Sequence, residues 1–258
     1  MWQQIKEIYE YREMLSNLVA KELRARYKAS VFGFLWTFLN PLLMLVVYSI
    51  VFAFITKSNI SNYAMFLFVA LLPWNYLSQS VLQGASSLVA NAGLIKKVYF
   101  PRSVLPLSIV IANLFNYLFS LAILIPALLL SGVHLTVALL AFPAVLVSQT
   151  LFVTAVAFLI AIGNVYFRDL EHIVSVLVMA WFFLTPVLYS IDIIPPKVQL
   201  LFKLNPATGF IESYRRIFFT GMWPNWLHLL YLTIGGSLLL LFSFFVFLRL
   251  QRRVAEEI

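Results

Sequence analysis

Six apolar runs, each long enough to cross a bilayer and interrupted by few charges, occupy most of the chain, at about 31–56, 63–89, 104–131, 135–164, 173–191 and 227–248. A helix needs about 20 apolar residues to cross the hydrocarbon core, so the runs predict an all-α membrane protein with six transmembrane helices. Composition agrees: 62% of the residues are hydrophobic and 11% charged, with a mean hydropathy of +0.94, whereas a soluble domain carries about 25% charged residues.

The formal net charge of +8 does not point to nucleic acid. The basic residues fall in short segments between the apolar runs, a pattern that encodes topology and does not build a phosphate-binding face. With the N-terminus inside, 13 of the 18 Lys and Arg residues fall on the cytoplasmic side and 5 outside. The positive-inside rule therefore predicts that both termini are cytoplasmic. Residues 1–28 read as an amphipathic helix that does not cross. Trp2, Ile5, Ile8, Tyr9, Leu15, Leu18 and Val19 recur at helical spacing, with Lys6, Glu10, Arg12, Glu13, Lys21 and Glu22 elsewhere. An apolar face with an aromatic anchor suits the membrane surface, and a helix packed on a partner is the other reading of the same pattern. The chain has no cysteine, which excludes disulfides and thiolate metal sites.

Two connecting segments stand out. Residues 91–102 carry Lys96, Lys97 and Arg102 and no acid, between two apolar runs. Such charges are costly at mid-bilayer, so the segment belongs in water on the inner side. Its apolar members, Leu94, Ile95 and Val98 among them, suit docking on a separate motor protein. Between the fifth and sixth runs, residues 192–225 hold a short amphipathic run at 198–204 and a second at 207–219, the latter with Glu212, Arg215 and Arg216. Both are too apolar for a solvated loop and too short to span. They read as two short helices dipping into the outer leaflet, or as an ordinary folded loop in which Glu212 and Arg216 form an i,i+4 surface pair.

No catalytic chemistry is legible. The phosphate cradle Gly-x-x-x-x-Gly-Lys-Ser/Thr is absent, and His134, His172 and His228 lack the spacing of metal ligands. No carboxylate falls in the central part of any run. Proton- or sodium-driven transporters generally keep an ionisable or broken-helix cation site near the midplane. The reading is thus a transport subunit, not an enzyme, driven by an energy source outside the chain, with no cofactor of its own. A secondary transporter or channel is disfavoured on the same ground.

Several landmarks follow one another along the whole chain: ARYKASVFGFLWTFLNPLL at 25–43, LPWNY at 72–76, LIKKVYFPR at 94–102, FRDL at 167–170, TPVLY at 185–189 and LNP at 204–206. In this order they resemble the permeases of type-2 ABC exporters, in particular those that export polysaccharides such as O-antigen, teichoic acid and capsule. The family pattern has a Ser where this chain has Thr185, a change that keeps the hydroxyl. The resemblance implies a homodimer in the bacterial cytoplasmic (inner) membrane, joined to two copies of an ABC ATPase that bind ATP and magnesium. It implies export of an undecaprenyl-linked polysaccharide. A small-molecule or lipid exporter of the same architecture is the alternative.

On that likeness, Leu94, Ile95, Lys96, Lys97, Val98, Tyr99 and Arg102 couple to the ATPase, and Glu212, Arg215 and Arg216 gate the outer exit. Rings pack on the C–H faces of sugars, so the expected path is aromatic: Phe34, Phe38, Tyr48 and Phe52 on one face of the first span, Trp74 in the second, Trp181, Phe182 and Tyr189 in the fifth. Such stripes also serve as lipid-facing or packing surfaces. Arg26 and Lys28 are placed to meet the diphosphate of a lipid carrier or other membrane lipid head groups; simple positive-inside anchoring accounts for them equally well.

Overall fold

The computed structural model describes residues 2–25, 30–55 and 62–258, which among them form helices and turns and no strand. Helices α1 (Trp2–Glu10) and α2 (Arg12–Ala25) meet at Tyr11 and precede α3 (Trp36–Ile55), α4 (Tyr63–Ala90) and the short α5 (Ala92–Lys97). Then come α6 (Val104–Leu130), α7 (Phe142–Tyr166), α8 (Leu170–Phe183), α9 (Pro196–Leu204), α10 (Pro206–Phe218), α11 (Trp226–Leu250) and α12 (Val254–Glu257). Two short helices are present where they are expected, at 198–204 and 207–219, as α9 and α10.

Among the described residues, five helical segments are long and apolar enough to cross a membrane: Gly33–Val51, Tyr63–Ala90, Val104–Leu130, Val137–Tyr166 and Trp226–Leu250. The run expected at 173–191 differs. Its helix, α8, has 14 residues, about 21 Å of rise against a core of about 30 Å. Pro186 contributes, since it lacks an N–H and disfavours helical geometry at the residue before it, but Pro41, Pro73 and Pro126 stay inside helices, so tertiary partners for the freed carbonyls are needed as well. The chain leaves the helix at Phe183 and continues as turns to residue 190.

The helices run between two ends. At one end, Lys21 Nζ donates to Asn91 Oδ1 (3.0 Å), Tyr11 OH to the Tyr99 carbonyl (3.3 Å) and Tyr166 OH to the Leu250 carbonyl (2.8 Å). The N-terminal helices, residues 91–102 and the C-terminus thus gather there. At the other, Asn62 Nδ2 donates to the Ser131 carbonyl (3.0 Å) and Thr136 Oγ1 to the Gly221 carbonyl (2.8 Å).

The core lies where α4 and α7 cross. A Cβ at Gly84 would sit 3.2 Å from Ala157 Cβ, so two small residues let the backbones approach, the usual means of packing helices in lipid. The deep amides of this core are matched. Gln149 Nε2 donates to the Pro73 carbonyl (2.9 Å), Gln149 Oε1 accepts from Tyr214 OH (2.8 Å), and Asn164 Nδ2 donates to the Ala85 carbonyl (3.0 Å). Unmatched, each such group would cost several kcal/mol.

Candidate functional site at the two ends of the bundle

At the end where the N-terminal helices and the C-terminus gather, α4 stops at Ala90 and Asn91 turns the chain, donating through Nδ2 to the Ser87 carbonyl (2.8 Å). The six-residue α5 then lies against the bundle. Ile95 and Phe100 are buried, 7% and 5% exposed, in an apolar cluster with Leu18, Leu88, Val104, Leu105 and Phe247, with Leu94 packed at its edge. Leu94, Ile95 and Val98 therefore do not form the single docking ridge expected from the sequence. Helix α5 ends at Lys97, and Val98 is extended (φ −133°, ψ 137°), which takes residues 98 and 99 out of helical register. The apolar surface presented outward is instead Val98 and Tyr99, the latter 81% exposed.

Lys96, Lys97 and Arg102 surround a cavity of about 550 Å³ that Glu7, Tyr99 and Gln251 also line. Three cations against one carboxylate make it a positive recess floored by apolar packing. Arg26 and Lys28 lie outside the described residues.

At the opposite end, Arg215 is 3% exposed and holds the unwound stretch that follows α8. Its Nη1 donates to the carbonyls of Pro186 (2.5 Å) and Tyr189 (3.2 Å), and its Nη2 to that of Val187 (2.7 Å). The guanidinium lies 3.6 Å from the centroid of the Phe66 ring on α4. Asn205, which caps α10, donates to the Leu184 carbonyl (3.1 Å) and to Thr185 Oγ1 (2.9 Å) while accepting from Trp181 Nε1 (2.8 Å). Tyr63 OH donates to the Leu188 carbonyl. Backbone freed from a helix at membrane depth must find donors, and here α4 and α10 supply them. Burial pushes the Arg215 guanidinium down to about 10 and the Glu212 carboxylate opposes that shift. The group is therefore charged at neutral pH.

Glu212 pairs with Arg215, at 3.2 Å and i,i+3, and not with Arg216. Arg215 points into the protein, whereas Arg216 Nε donates to the Trp223 carbonyl (2.9 Å). The three residues named together from the sequence thus split into a buried clasp and a loop tie. Asn205 was a landmark in the sequence and nothing more; the signal for its role was its place before a proline at a helix start.

The expected aromatic path is also divided. Phe34 and Phe38 meet Phe119 of α6, at ring-centroid distances of 5.5 and 6.1 Å. Tyr48 packs on the main core, and the side chain of Phe52 lies outside the described residues. Trp74, 5% exposed, packs against Trp181 (5.9 Å) and Phe182 (5.5 Å). Tyr189 OH donates to the Phe183 carbonyl (2.6 Å).

Residues 14–219 match the family described as ABC-2 type transporter. Over 256 residues the chain is 40% identical to a Myxococcus xanthus protein named O-antigen export system permease protein RfbA, covering 98% of each chain. Two Klebsiella pneumoniae proteins of the same name are 35% and 34% identical over 245 residues, 95% of this chain and 94% of each relative. The match takes in residues 91–102, the α4–α7 core and the clasp on α10 together, and the chain belongs to the ABC-2 type transporter family.

Proposed function

We propose that this chain is the permease subunit of an ATP-driven exporter that moves a lipid-linked, O-antigen-like polysaccharide across the bacterial inner membrane. The observation that carries this reading is end-to-end similarity to relatives named for O-antigen export, at 34–40% identity. The working unit is a homodimer with two copies of a separate ABC ATPase, and both termini are cytoplasmic. Six crossings are made, the fifth by α8 together with residues 184–190.

In this reading the ATPase docks on Val98 and Tyr99, and the cations of the adjoining recess meet its acidic side chains. Helices α1 and α2 lie along the membrane surface beside it, with Arg26 and Lys28 near lipid phosphates. The push enters at α5 and is carried by α4, whose 28 residues make a rod of about 42 Å. Its far end places Phe66 under Arg215, so movement of α4 bears directly on the outer clasp. The exposed apolar faces of α3 and α8, which include Val46, Ile50, Val176 and Met179, flank the path between two copies.

The test is reconstitution of the permease with its ATPase in vesicles containing undecaprenyl-linked glycan. ATP-dependent transfer of glycan to the far side, absent without ATPase or with a hydrolysis-dead one, is the expected result. Transfer by the permease alone refutes the division of labour, and transport of lipid without glycan replaces the polysaccharide reading.

A further inference from the structure

Helix α4 is packed on most sides, and where it opens it is polar. Among the described residues of 65–85, the side chains that are not buried are Asn75, Gln79, Leu82 and Gln83. The three amides follow one another at i, i+4 and i+8 and so share one face of the helix. Gln79 lies 11 residues from the nearer end of α4, about 16 Å along the axis. That places it inside a hydrocarbon core of about 30 Å.

This face opens into a recess of about 360 Å³ between α3, α4 and α6, lined by Asn75 and Gln79 and, across from them, by Asn40 of α3. Asn40 and Gln79 are both exposed. Gln79 Oε1 accepts from Gln83 Nε2 (2.9 Å). Its own Nε2 and the whole Asn40 amide have no partner among the described residues.

The surroundings decide what covers these groups. The outward face of α11 is apolar, with Leu230, Ile234, Leu238 and Leu241 exposed, as contact with lipid requires. An accessible amide in hydrocarbon would find no partner and cost several kcal/mol, so water covers Asn40 and Gln79. Asn40 shares a face of α3 with Leu43, Val47 and Ile50, at offsets of 3, 4 and 3, and all three are exposed. The recess therefore adjoins the surface placed above along the export path.

Its chemistry narrows what can pass. Neutral amides both donate and accept, so their water can be exchanged for sugar hydroxyls. Among the described residues the lining has no Lys or Arg to hold a phosphate, and an acyl chain would strip the amides of water without replacing it.

Resting on the export reading above, we infer that this recess is a water-filled part of the path, and that Asn40 and Gln79 touch neutral sugar units of the glycan as they cross the membrane.

The chain has no cysteine, so Gln79→Cys and, on the lipid face of α11, Leu241→Cys each introduce a single thiol. Each variant is labelled in the full permease–ATPase complex, in nanodiscs of phosphatidylethanolamine and phosphatidylglycerol, with a trimethylammonium methanethiosulfonate. Only thiolates react, and a thiol ionises in water far more readily than in lipid. Labelling is followed by the mass of the permease, without nucleotide and with ATP held by a hydrolysis-dead ATPase. Gln79→Cys is expected to react about tenfold faster or more than Leu241→Cys in at least one state, as one pKa unit of thiol desolvation gives. Glycan released by mild acid from the lipid-linked pool of the producing cells is expected to slow it several-fold, while undecaprenyl phosphate without sugar leaves it unchanged. Asn40→Cys, on the opposite wall, is expected to behave likewise and carries the test should Gln79→Cys not reach the membrane.

A thiol as slow as Leu241→Cys in both states, a disulfide joining two copies through position 79, or a rate indifferent to glycan overturns the inference. In cells, Asn40→Leu with Gln79→Leu turns the recess apolar and is expected to lower glycan export several-fold at unchanged permease level; wild-type export overturns the sugar contact. A native complex that moves no glycan while Gln79→Cys stays open to water counts against the export reading instead.

Discussion

Replacing Arg215 by Met keeps most of the side-chain volume and removes every donor that closes residues 186–189 onto α10. Three carbonyls lose the guanidinium: those of Pro186, Val187 and Tyr189. A buried acceptor left unmatched costs about 1–3 kcal/mol, so with three carbonyls affected and partial relaxation of the stretch the local cost is taken as about 3–5 kcal/mol in total. At 1.4 kcal/mol per decade, opening of the stretch becomes more frequent by between about a hundredfold and a few thousandfold. The assay is hydrogen–deuterium exchange of the detergent-purified chain, comparing peptides over 184–190 with peptides from the middle of α7. Arg215→Lys keeps the charge but loses the planar fork, and is expected to fall between wild type and Met. Glu212→Gln is expected to change little, since the Glu212 side chain is 33% exposed and such a pair contributes about 1 kcal/mol or less. Wild-type exchange over 184–190 in Arg215→Met, or an equal rise in the α7 peptides, refutes the clasp.

Substitutions at three further positions separate docking from folding and core packing from both. Ile95→Asp puts a carboxylate into an apolar cluster and is expected to lower the folded yield in membranes, whereas Tyr99→Ala, on an exposed ring, keeps the yield and loses coupling of ATP hydrolysis to export. Quantifying membrane-resident protein and glycan-dependent ATPase activity in parallel checks both, and equal yields for the two refute the inward placement of Ile95. Gly84→Leu forces apart backbones whose packing leaves only 3.2 Å between a Cβ at 84 and that of Ala157; a loss of at least about 1–3 kcal/mol is expected, read as a lower melting temperature, with Gly84→Ala milder.

The long helices were legible because lipid imposes one rule on all of them: about 20 apolar residues per crossing. The ends of α4, α6 and α11 lie within two residues of the expected limits. The fifth run misled because a hydropathy run does not register whether its backbone is helical. The TPVLY stretch at 185–189 is as apolar as a helix, yet Pro186 ends helicity there, and Arg215, about 30 residues later, is what allows the stretch to remain unwound. That dependence is tertiary and has no local pattern. In the same way, Ile95 was placed on the docking face because a six-residue helix carries too short a period to tell its inner side from its outer. The position of Val98 outside the helix decided the matter.

The placement of the path has a deeper cause. Rings are conspicuous in a sequence, so Phe34, Phe38, Trp74, Trp181 and Phe182 attracted the functional assignment, but in lipid a ring carries little penalty wherever it packs. Trp74, Trp181 and Phe182 fill the contact between α4 and α8, and the phenylalanines bind α3 to α6. An amide is different: away from water it must be matched or it destabilises the fold by several kcal/mol. Asn113 and Asn116 stand one turn apart in the third run, and only the folded structure separates them. Asn113 donates to the Ile109 carbonyl (3.0 Å) and Gln83 Oε1 (3.2 Å), whereas Asn116 has no hydrogen-bond partner. That difference depends on which side chains of α4 come within reach of each amide, and no local pattern in the sequence records it.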